Sequence, residues 1–175
     1  QALLAEPDFF QAHASLGLIL LDTGRSREGV QHLTLALRLG PEHAFPNYAY
    51  GHFLHRQGEL REAADYYQRA VQHNPDLVAA RLGLASIRIM ADQPELYDVD
   101  EALVHAEKAC EVTRRRDPDA LKTLAGVYAV ARRFDDAVTT AQSALEIARA
   151  AGDRDLADRI QNILEICKRL QAEGR

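Results

Sequence analysis

The sequence predicts an all-α protein made of repeated helical hairpins, an α-solenoid, and two observations lead to this fold class. First, two stretches of the chain share a pattern: "GRSREGVQHLTLALRLGPE" begins at Gly24 and "GELREAADYYQRAVQHNPD" begins at Gly58. A Gly, a Glu and a Pro of the first stretch each recur 34 residues later in the second. Second, small residues recur in columns at a similar period. A fixed period of this length is typical of a repeat array.

Three columns of small residues run through the chain. They are Gly29, Ala63, Ala102 and Ala137; Ala36, Ala70, Ala109 and Ala144; and Gly17, Gly51, Ala85 and Ala125. Larger residues accompany them, namely Leu16, Tyr50, Leu84 and Leu124 before the third column and Leu37, Val71, Cys110 and Leu145 after the second. Antiparallel helices approach closely only where one of them has almost no side chain, and larger neighbours then fill the gaps. Each repeat is therefore expected to be a hairpin whose faces are completed by its neighbours.

The hairpins follow one another in order along the chain. First helices are expected near residues 10–22, 44–57, 78–91 and 118–131, and second helices near 26–39, 60–73, 99–115 and 134–150. Gly24 and Gly58 are expected in the tight turns of the first two hairpins. In the third hairpin five extra residues lengthen the turn to "ADQPELYDVD", which contains Pro94. A long loop can bind a partner, but a tolerated surface insertion is the preferred interpretation.

Residues 1–175 are expected to form one domain. Its parts are the end of a preceding repeat (1–7), four repeats (8–41, 42–75, 76–115 and 116–151) and a capping helix (152–175). Because "QALLAEP" aligns with the segments that close the first two repeats, the chain is expected to be part of a longer protein. The capping helix is inferred from a single apolar stripe, formed by Leu156, Ile160, Ile163, Cys167 and Leu170, with polar residues opposite it.

Composition narrows the classes of function. The net charge of −5 argues against nucleic acid as a partner, because phosphate binding needs a concentrated basic face. The one basic cluster, Arg114 to Arg116, is interpreted as the cationic end of a helix. No apolar run is long enough for a membrane span, and no signal peptide is evident. Cys110 and Cys167 are expected to be buried. The compartment stays open, with the cytoplasm preferred to the periplasm.

The repeats resemble the tetratricopeptide repeat family. The segments that carry the resemblance are "YGHFLHRQGELREAADYYQRAVQHNP" in the second repeat and "TLAGVYAVARRFDDAVTTAQSALEI" in the fourth. The chain departs from the family pattern in having no Trp and in placing Arg88 at a normally apolar position. The segment "RRRDPDALKTLAGVYAVARRFDDAV" is also similar to terminal modules of bacterial arrays of this kind. The resemblance implies a right-handed solenoid whose first helices line a concave groove.

The resemblance also implies which residues project into that groove. They are Leu18, Asp22, Tyr48, His52, His55, Arg56, Leu82, Ser86, Ile89 and Lys122, accompanied by Ala14, Leu21, Met90, Gly126, Ala129 and Val130. Such a groove, apolar at both sides of a polar centre, suits an extended peptide or a helix with apolar anchors around an acidic or polar residue. The family's carboxylate clamp and its asparagine ladder are both disfavoured by the residues at the corresponding positions.

No motif indicates an enzyme, because glycine-rich phosphate loops, GxSxG elbows and HExxH pairs are absent from the sequence. Tyr48, His52, His55 and Arg56 share one helical face, and a recognition surface is preferred there over a metal site or a catalytic base. The remaining histidines are expected to be isolated. Neither a cofactor nor a metal is expected.

The sequence therefore predicts a scaffold that binds a protein or peptide, or another domain of its own parent chain. Two alternatives stay open. One is a regulatory or substrate-presenting region of a larger enzyme, for example a glycosyltransferase-like one. The other is a self-association module, so that an oligomer is possible.

Overall fold

A computed structural model describes residues 9–90 and 92–173 of the chain, so the predicted end of a preceding repeat lies outside the described residues. Within these ranges the protein has nine α-helices and no strand. The helices are α1 (Phe9–Asp22), α2 (Ser26–Leu39), α3 (Ala44–Gln57), α4 (Leu60–His73), α5 (Val78–Met90), α6 (Val99–Val112), α7 (Pro118–Val130), α8 (Phe134–Ala150) and α9 (Arg154–Glu173). The all-α prediction is confirmed.

The largest error in the predicted boundaries concerns the end of α6. The helix ends at Val112 instead of residue 115, although the backbone N–H of Thr113 still donates to the carbonyl of Ala109. Arg114 and Arg115 then adopt φ of 51° and 54°, in the left-handed region. The basic cluster consequently follows the helix instead of forming its last turn.

Turn residues fix the shape of the first two hairpins. Gly24 and Gly58 have φ of 81° and 83°, a conformation that costs other residues free energy because of their Cβ atoms. The Gly58 N–H also bonds to the carbonyl of His55 at the end of α3. Both glycines lie in tight turns as predicted, and each is needed there because its backbone is left-handed.

Contacts divide the chain into two compact units, unit 1 up to Gly83 and unit 2 from Leu84. In unit 1, α1 pairs with α2 and α3 pairs with α4, as expected for helical hairpins. The small-residue columns lie in the contacts: a Cβ at Gly17 would lie 2.7 Å from a side-chain carbon of Leu33, and a Cβ at Gly29 would lie 2.9 Å from the carbonyl oxygen of Gly17. The expectation that Leu16 fills a gap is wrong, since Leu16 is 41% exposed.

Unit 2 is built from the later helices, with α7 packed on α6 and α8 and with α8 packed on α9. Its small columns are completely buried at Ala102, Ala109, Ala137 and Ala144. Arg88, the departure from the apolar pattern, is accommodated by polar partners on the following segment: it forms an ion pair with Glu101 and donates a hydrogen bond of 3.2 Å to the carbonyl of Leu96.

The last helix buries one apolar face, which includes Leu156, Ile160 and Cys167 of the predicted stripe. Ala157 and Leu164 complete that face. The opposite side is not uniformly polar as expected, because Ile166 is 51% exposed. The helix thus covers unit 2 and also presents apolar surface of its own.

Candidate partner-binding surfaces

The first candidate surface lies in unit 1 and is called here the polar face; it consists of Asp22, Tyr48, His52, His55 and Arg56. Tyr48, His52 and Arg56 follow one another at four-residue spacing, which places them on one side of α3. Asp22 is the last residue of α1 and forms an ion pair with Arg56. The predicted recognition residues of these two helices are therefore brought together.

Aromatic contacts hold this face in place. The Tyr48 ring lies 6.0 Å from the ring of Tyr67, which belongs to α4 and is only 1% exposed, and 6.0 Å from the His52 ring. The Tyr67 hydroxyl and the His55 Nδ1 are 3.4 Å apart and share a hydrogen bond. Tyr67 is the buried support of the polar face, and the sequence analysis did not identify it.

Both histidines of the polar face are held neutral near pH 7. Burial lowers the pKa of His52, and the nearby Arg56 lowers it further, while Asp22 opposes the shift. Burial also lowers the pKa of His55, with a smaller contribution from His52. Because both pKa values move below the usual 6.5, these side chains are suited to contact a partner as neutral rings.

The other groove positions predicted in unit 1 are more buried than expected. Leu18 is half-buried against the core of α1, α2 and α3, and Leu82 is half-buried as well. Ala14 and Leu21 are core residues, 0% and 8% exposed, so they are not available to a partner. At Ala14 and Leu21 the positions taken from the family pattern serve the packing of α1 against its neighbours.

Of the groove positions predicted in unit 2, some are partly buried or already paired and others line an open surface. Ser86 is half-buried, and Lys122 forms an ion pair with Asp119 of its own helix, so its charge is already partnered. Ile89 lines an open apolar groove. This second candidate surface is called here the α9 groove; it is lined by Ile89, Met90, Gly126, Ala129, Val130, Ile163, Ile166, Cys167 and Leu170 and has a volume of about 350 Å³.

Sequence reasoning missed the α9 groove as a unit, although the signal was present. Ile163, Ile166 and Leu170 have the spacing of a helical stripe, distinct from the stripe of Leu156 and Ile160. The predicted stripe joined the buried Leu156 and Ile160 to the partly exposed Ile163 and Leu170, and it left out Ile166. The two faces become distinct once the packing of α9 on α8 is known.

Two further histidine expectations need correction. His13 and His32 are not isolated: their Nδ1 atoms are 2.8 Å apart and their rings stack with centroids separated by 5.0 Å. Burial, and then the neighbouring His32, lowers the pKa of His13. His105 is buried and its Nε2 lies 3.5 Å from a carboxylate oxygen of Glu101. The stacking of His13 on His32 depends on the rotation of two helices about their axes and could not be anticipated. Glu101 and His105 lie four residues apart on α6, so their contact could have been read from the helical spacing.

The described residues contain no group of three or more His, Cys, Asp or Glu side chains that could hold a metal ion. Among the described helices, none combines the length and the apolar character needed to cross a membrane.

Comparison with known proteins agrees with the repeat pattern. Residues 46–87, which run from α3 into α5, match the family model of the tetratricopeptide repeat. The human Superkiller complex protein 3 is 30% identical over 142 residues, which cover 74% of this chain and 9% of that protein. The chain thus corresponds to a small part of that longer relative.

Solved structures support the same fold. Yeast Tom70 superimposes with a TM-score of 0.74 at 18% identity, covering 95% of this chain and 34% of Tom70. YrrB, a tetratricopeptide repeat protein with an unusual peptide-binding site, superimposes with a TM-score of 0.63 at 23% identity. The match covers 87% of this chain and 74% of the YrrB chain. TTC0263, a tetratricopeptide repeat protein of Thermus thermophilus, superimposes with a TM-score of 0.64 at 17% identity. The match covers 94% of this chain and 96% of the TTC0263 chain.

The fold is therefore an α-solenoid like that of tetratricopeptide repeat proteins, and residues 46–87 match the model of that repeat family. Proteins of this family are in general non-enzymatic scaffolds for protein–protein interaction.

Proposed function

We propose that the chain is a protein-binding scaffold whose polar face holds the polar or acidic anchor of a partner segment. The observation that carries this proposal is the exposed ion pair between Asp22 and Arg56, whose side chains are 66% and 47% exposed. Exposed ion pairs contribute little to stability, roughly 0 to 1 kcal/mol. A partner carboxylate can therefore replace Asp22 on Arg56 at small cost to the fold.

The surroundings of Arg56 suit such an exchange. The neutral ring of His52 lies one turn before Arg56 on α3, and it contacts the ring of Tyr48, which packs against the buried Tyr67. Tyr and Arg dominate binding hot spots, because they bury a large area and still form directed hydrogen bonds. A peptide-binding site in YrrB, whose fold is similar, supports the same kind of partner.

Two substitutions with opposite expected effects test the proposal. A partner is captured from a lysate of the source organism on the immobilised chain, identified, and then titrated by calorimetry. Arg56→Ala is expected to weaken binding by about 2 kcal/mol or more. Asp22→Ala is expected to strengthen binding, because it removes the carboxylate that competes for Arg56. Unchanged affinity in both variants, or the opposite order, contradicts an acidic anchor at this face.

A second candidate function is self-association through α1. Leu16 and Ile19 are 41% and 58% exposed on this helix, and exposed apolar side chains of this size favour contacts between proteins. Light scattering of the chain at increasing concentration tests this function. A mass that stays at the monomer value up to high concentration excludes it, whereas a dimer lost in Ile19→Ser supports it.

A further inference from the structure

A polar pocket lies in unit 1 where the first two repeats are joined. It is called here the Glu42 pocket; it is lined by Phe10, Glu42, His43, Phe45, His73 and Asn74 and has a volume of about 340 Å³. Phe10 and Asp22 stand near opposite ends of α1, about 18 Å apart along its axis. The nearest part of the polar face is Tyr48, whose ring is 6.1 Å from that of Phe45. The pocket contains none of the groove positions predicted from the family pattern.

One wall of the pocket is a fixed pair of rings. The rings of Phe10 and His43 stack with centroids 4.1 Å apart and an angle of 19° between their planes. The pair fits against the turn because Gly40 has no side chain: a Cβ there would lie 2.8 Å from the Phe10 ring and 3.0 Å from the His43 ring. Phe10 is buried and His43 is exposed, so the imidazole is covered on one face and accessible elsewhere. The expectation that His43 is isolated is therefore wrong.

The turn that carries Glu42 and His43 is held by a buried amide. Asn47 is 1% exposed, and its Nδ2 donates to the carbonyl oxygens of Pro41 and His43 at 2.8 Å each. His43 precedes α3 without a side-chain cap hydrogen bond, so the helix does not use its imidazole. The turn is thus in place before a ligand binds, which reduces the ordering that binding requires.

The stacked pair is not a general feature of the repeat. At a spacing of 34 residues, Ala44 and Leu77 stand at the positions of Phe10 and His43 in the next repeat. The joint that follows the second repeat is thus closed without these rings. In the first joint the rings add a stacking surface that the repeat itself does not require.

Glu42 gives the pocket its charge. Apart from two imidazoles, it is the one ionisable side chain among the lining residues that the structure describes. The nearest arginines along the chain are directed elsewhere. Arg38 lines a separate surface of α2, Arg69 lies over the Tyr66 ring at 5.0 Å, and the Arg81 Nε donates to a backbone carbonyl at 2.6 Å. The complementary charge of a ligand is therefore positive.

Helix ends do not reverse this charge preference. The pocket adjoins the N-terminal ends of α1 and α3 and the C-terminal end of α4, which His73 and Asn74 occupy. The partial charges of these ends have opposite signs and oppose one another. The full charge of the Glu42 carboxylate remains the main electrostatic feature of the pocket.

Among cations, a guanidinium group fits these surroundings better than an ammonium group. A guanidinium is planar and weakly hydrated and stacks on rings, whereas an ammonium is a compact, strongly hydrated charge. A guanidinium can also donate two parallel hydrogen bonds to one carboxylate. The accessible surface of His43 and the ring of Phe45 offer stacking partners, and Glu42 beside them offers the carboxylate.

We propose that the Glu42 pocket binds an arginine side chain of a partner protein. The guanidinium stacks on the His43 imidazole, on the side away from Phe10, and donates two hydrogen bonds to the Glu42 carboxylate. This pocket takes a cation, whereas the polar face is proposed to take an acidic anchor on Arg56. The two sites can therefore be disabled separately.

The test uses capped amino acids and the whole chain at pH 7.5 and constant ionic strength. The probe is N-acetyl-arginine N-methylamide. Its neutral control is the corresponding citrulline derivative, which keeps the shape of the side chain without the charge. Its charged control is the lysine derivative. Chemical-shift titration of the ¹⁵N-labelled chain gives both the dissociation constant and the position of the bound probe.

We expect saturable binding of the arginine derivative with a dissociation constant of about 1 mM, the affinity typical of so small a ligand. The largest shifts are expected at the amides of Gly40, His43 and Asn74. The lysine derivative is expected to bind about 5-fold more weakly, because it does not stack on a ring. The citrulline derivative is expected to bind about 10-fold more weakly, because its hydrogen bonds to the carboxylate are not charge-assisted.

Variants of the chain separate the two contacts. Glu42→Gln is expected to weaken arginine binding by about 10-fold and to bring it close to citrulline binding. His43→Ala is expected to weaken it by about 5-fold and to remove most of the preference for arginine over lysine. Should His43→Ala lose its helical circular dichroism, Glu42→Gln decides the test, because Glu42 is exposed. Glu62→Gln, at an exposed carboxylate of α4 outside the pocket, and Arg56→Ala are expected to bind like the unmodified chain.

Several results overturn the proposal. They are the absence of saturation at tens of millimolar probe, equal affinity for the arginine and citrulline derivatives or for the arginine and lysine derivatives, and unchanged binding in Glu42→Gln. Shifts centred on Asp22 also overturn it, because the guanidinium then binds at the polar face. Free arginine that binds about 10-fold more tightly than the capped derivative identifies the ligand as an amino acid and contradicts a protein side chain. Failure of the polar face in Arg56→Ala leaves arginine binding at Glu42 unchanged.

Discussion

At the scale of single residues, replacing two helical glycines by alanine is expected to change the stability of the fold in opposite directions. Gly29→Ala places a methyl group 2.9 Å from the carbonyl oxygen of Gly17 and 2.9 Å from a carbon of Leu21, and overpacking of this kind costs about 1 to 3 kcal/mol. Gly126→Ala makes one ordinary contact, with the Cδ1 of Ile89 at 4.0 Å, and is expected to stabilise the chain by up to about 1 kcal/mol. Urea denaturation of the two variants measures both changes. Destabilisation by Gly126→Ala, or a neutral Gly29→Ala, would show that the packing described for these glycines is wrong.

Single residues also give a prediction for how the stability of the fold depends on pH. Folding lowers the pKa values of His13, His52 and His55, mainly through burial. Below about pH 6.5 the unfolded chain therefore binds more protons than the folded chain, and acid favours unfolding. The stability that depends on these neutral histidines is present above about pH 6.5 and decreases as the pH falls through the lowered values. Urea midpoints at pH 7.5 and pH 5 measure the loss, and His52→Gln is expected to reduce it. An equal midpoint at both pH values contradicts the burial of these rings.

Much of the residue-level pattern could be predicted because the repeat is regular. The columns of small residues are buried as expected, and Asp22 and Arg56 meet although they lie 34 residues apart, which is one repeat. Contacts that depend on the rotation of one helix against another could not be predicted. The stacking of His13 on His32 belongs to this second group.

At the scale of elements, α9 is the clearest test of the packing. Removal of residues 153–175 uncovers the surface of α8 and α7 that now contacts Leu156, Ile160 and Leu164. Each Å² of apolar surface uncovered costs about 25 cal/mol, so a loss of several kcal/mol is expected together with aggregation. Thermal unfolding and light scattering of the truncated chain measure these effects. An unchanged melting temperature with a monomeric truncated chain would falsify the covering role of α9.

The elements also show where sequence patterns stop being informative. Helix positions followed from the period of the apolar and small residues, and most boundaries agree within a residue or two. The end of α6 did not, because it depends on the left-handed backbone of Arg114 and Arg115, which no propensity indicates. The two apolar faces of α9 were merged for a related reason. A helical stripe shows that a face is apolar but not whether a neighbouring helix covers it.

At the scale of the whole molecule, the fold follows from the repeat, and the proposed function is that of a protein-binding scaffold. The groove positions transferred from the family separate into buried residues such as Ala14 and Leu21 and accessible ones such as Arg56. Burial therefore removes Ala14 and Leu21 from that set, whereas Met90 and Val130 remain accessible in unit 2. The alternative of a region attached to a larger enzyme stays a prediction, as do the repeat boundaries.

The most direct test of the scaffold function is a footprint of the bound partner by amide hydrogen exchange. The chain is measured alone and with its captured partner at saturation. The account predicts slowed exchange at the C-terminal ends of α1 and α3, around Asp22, His52 and Arg56, and loss of that protection in Arg56→Ala. Protection confined to α2 and α4, with α1 and α3 unchanged, would contradict the proposal that the polar face binds the partner.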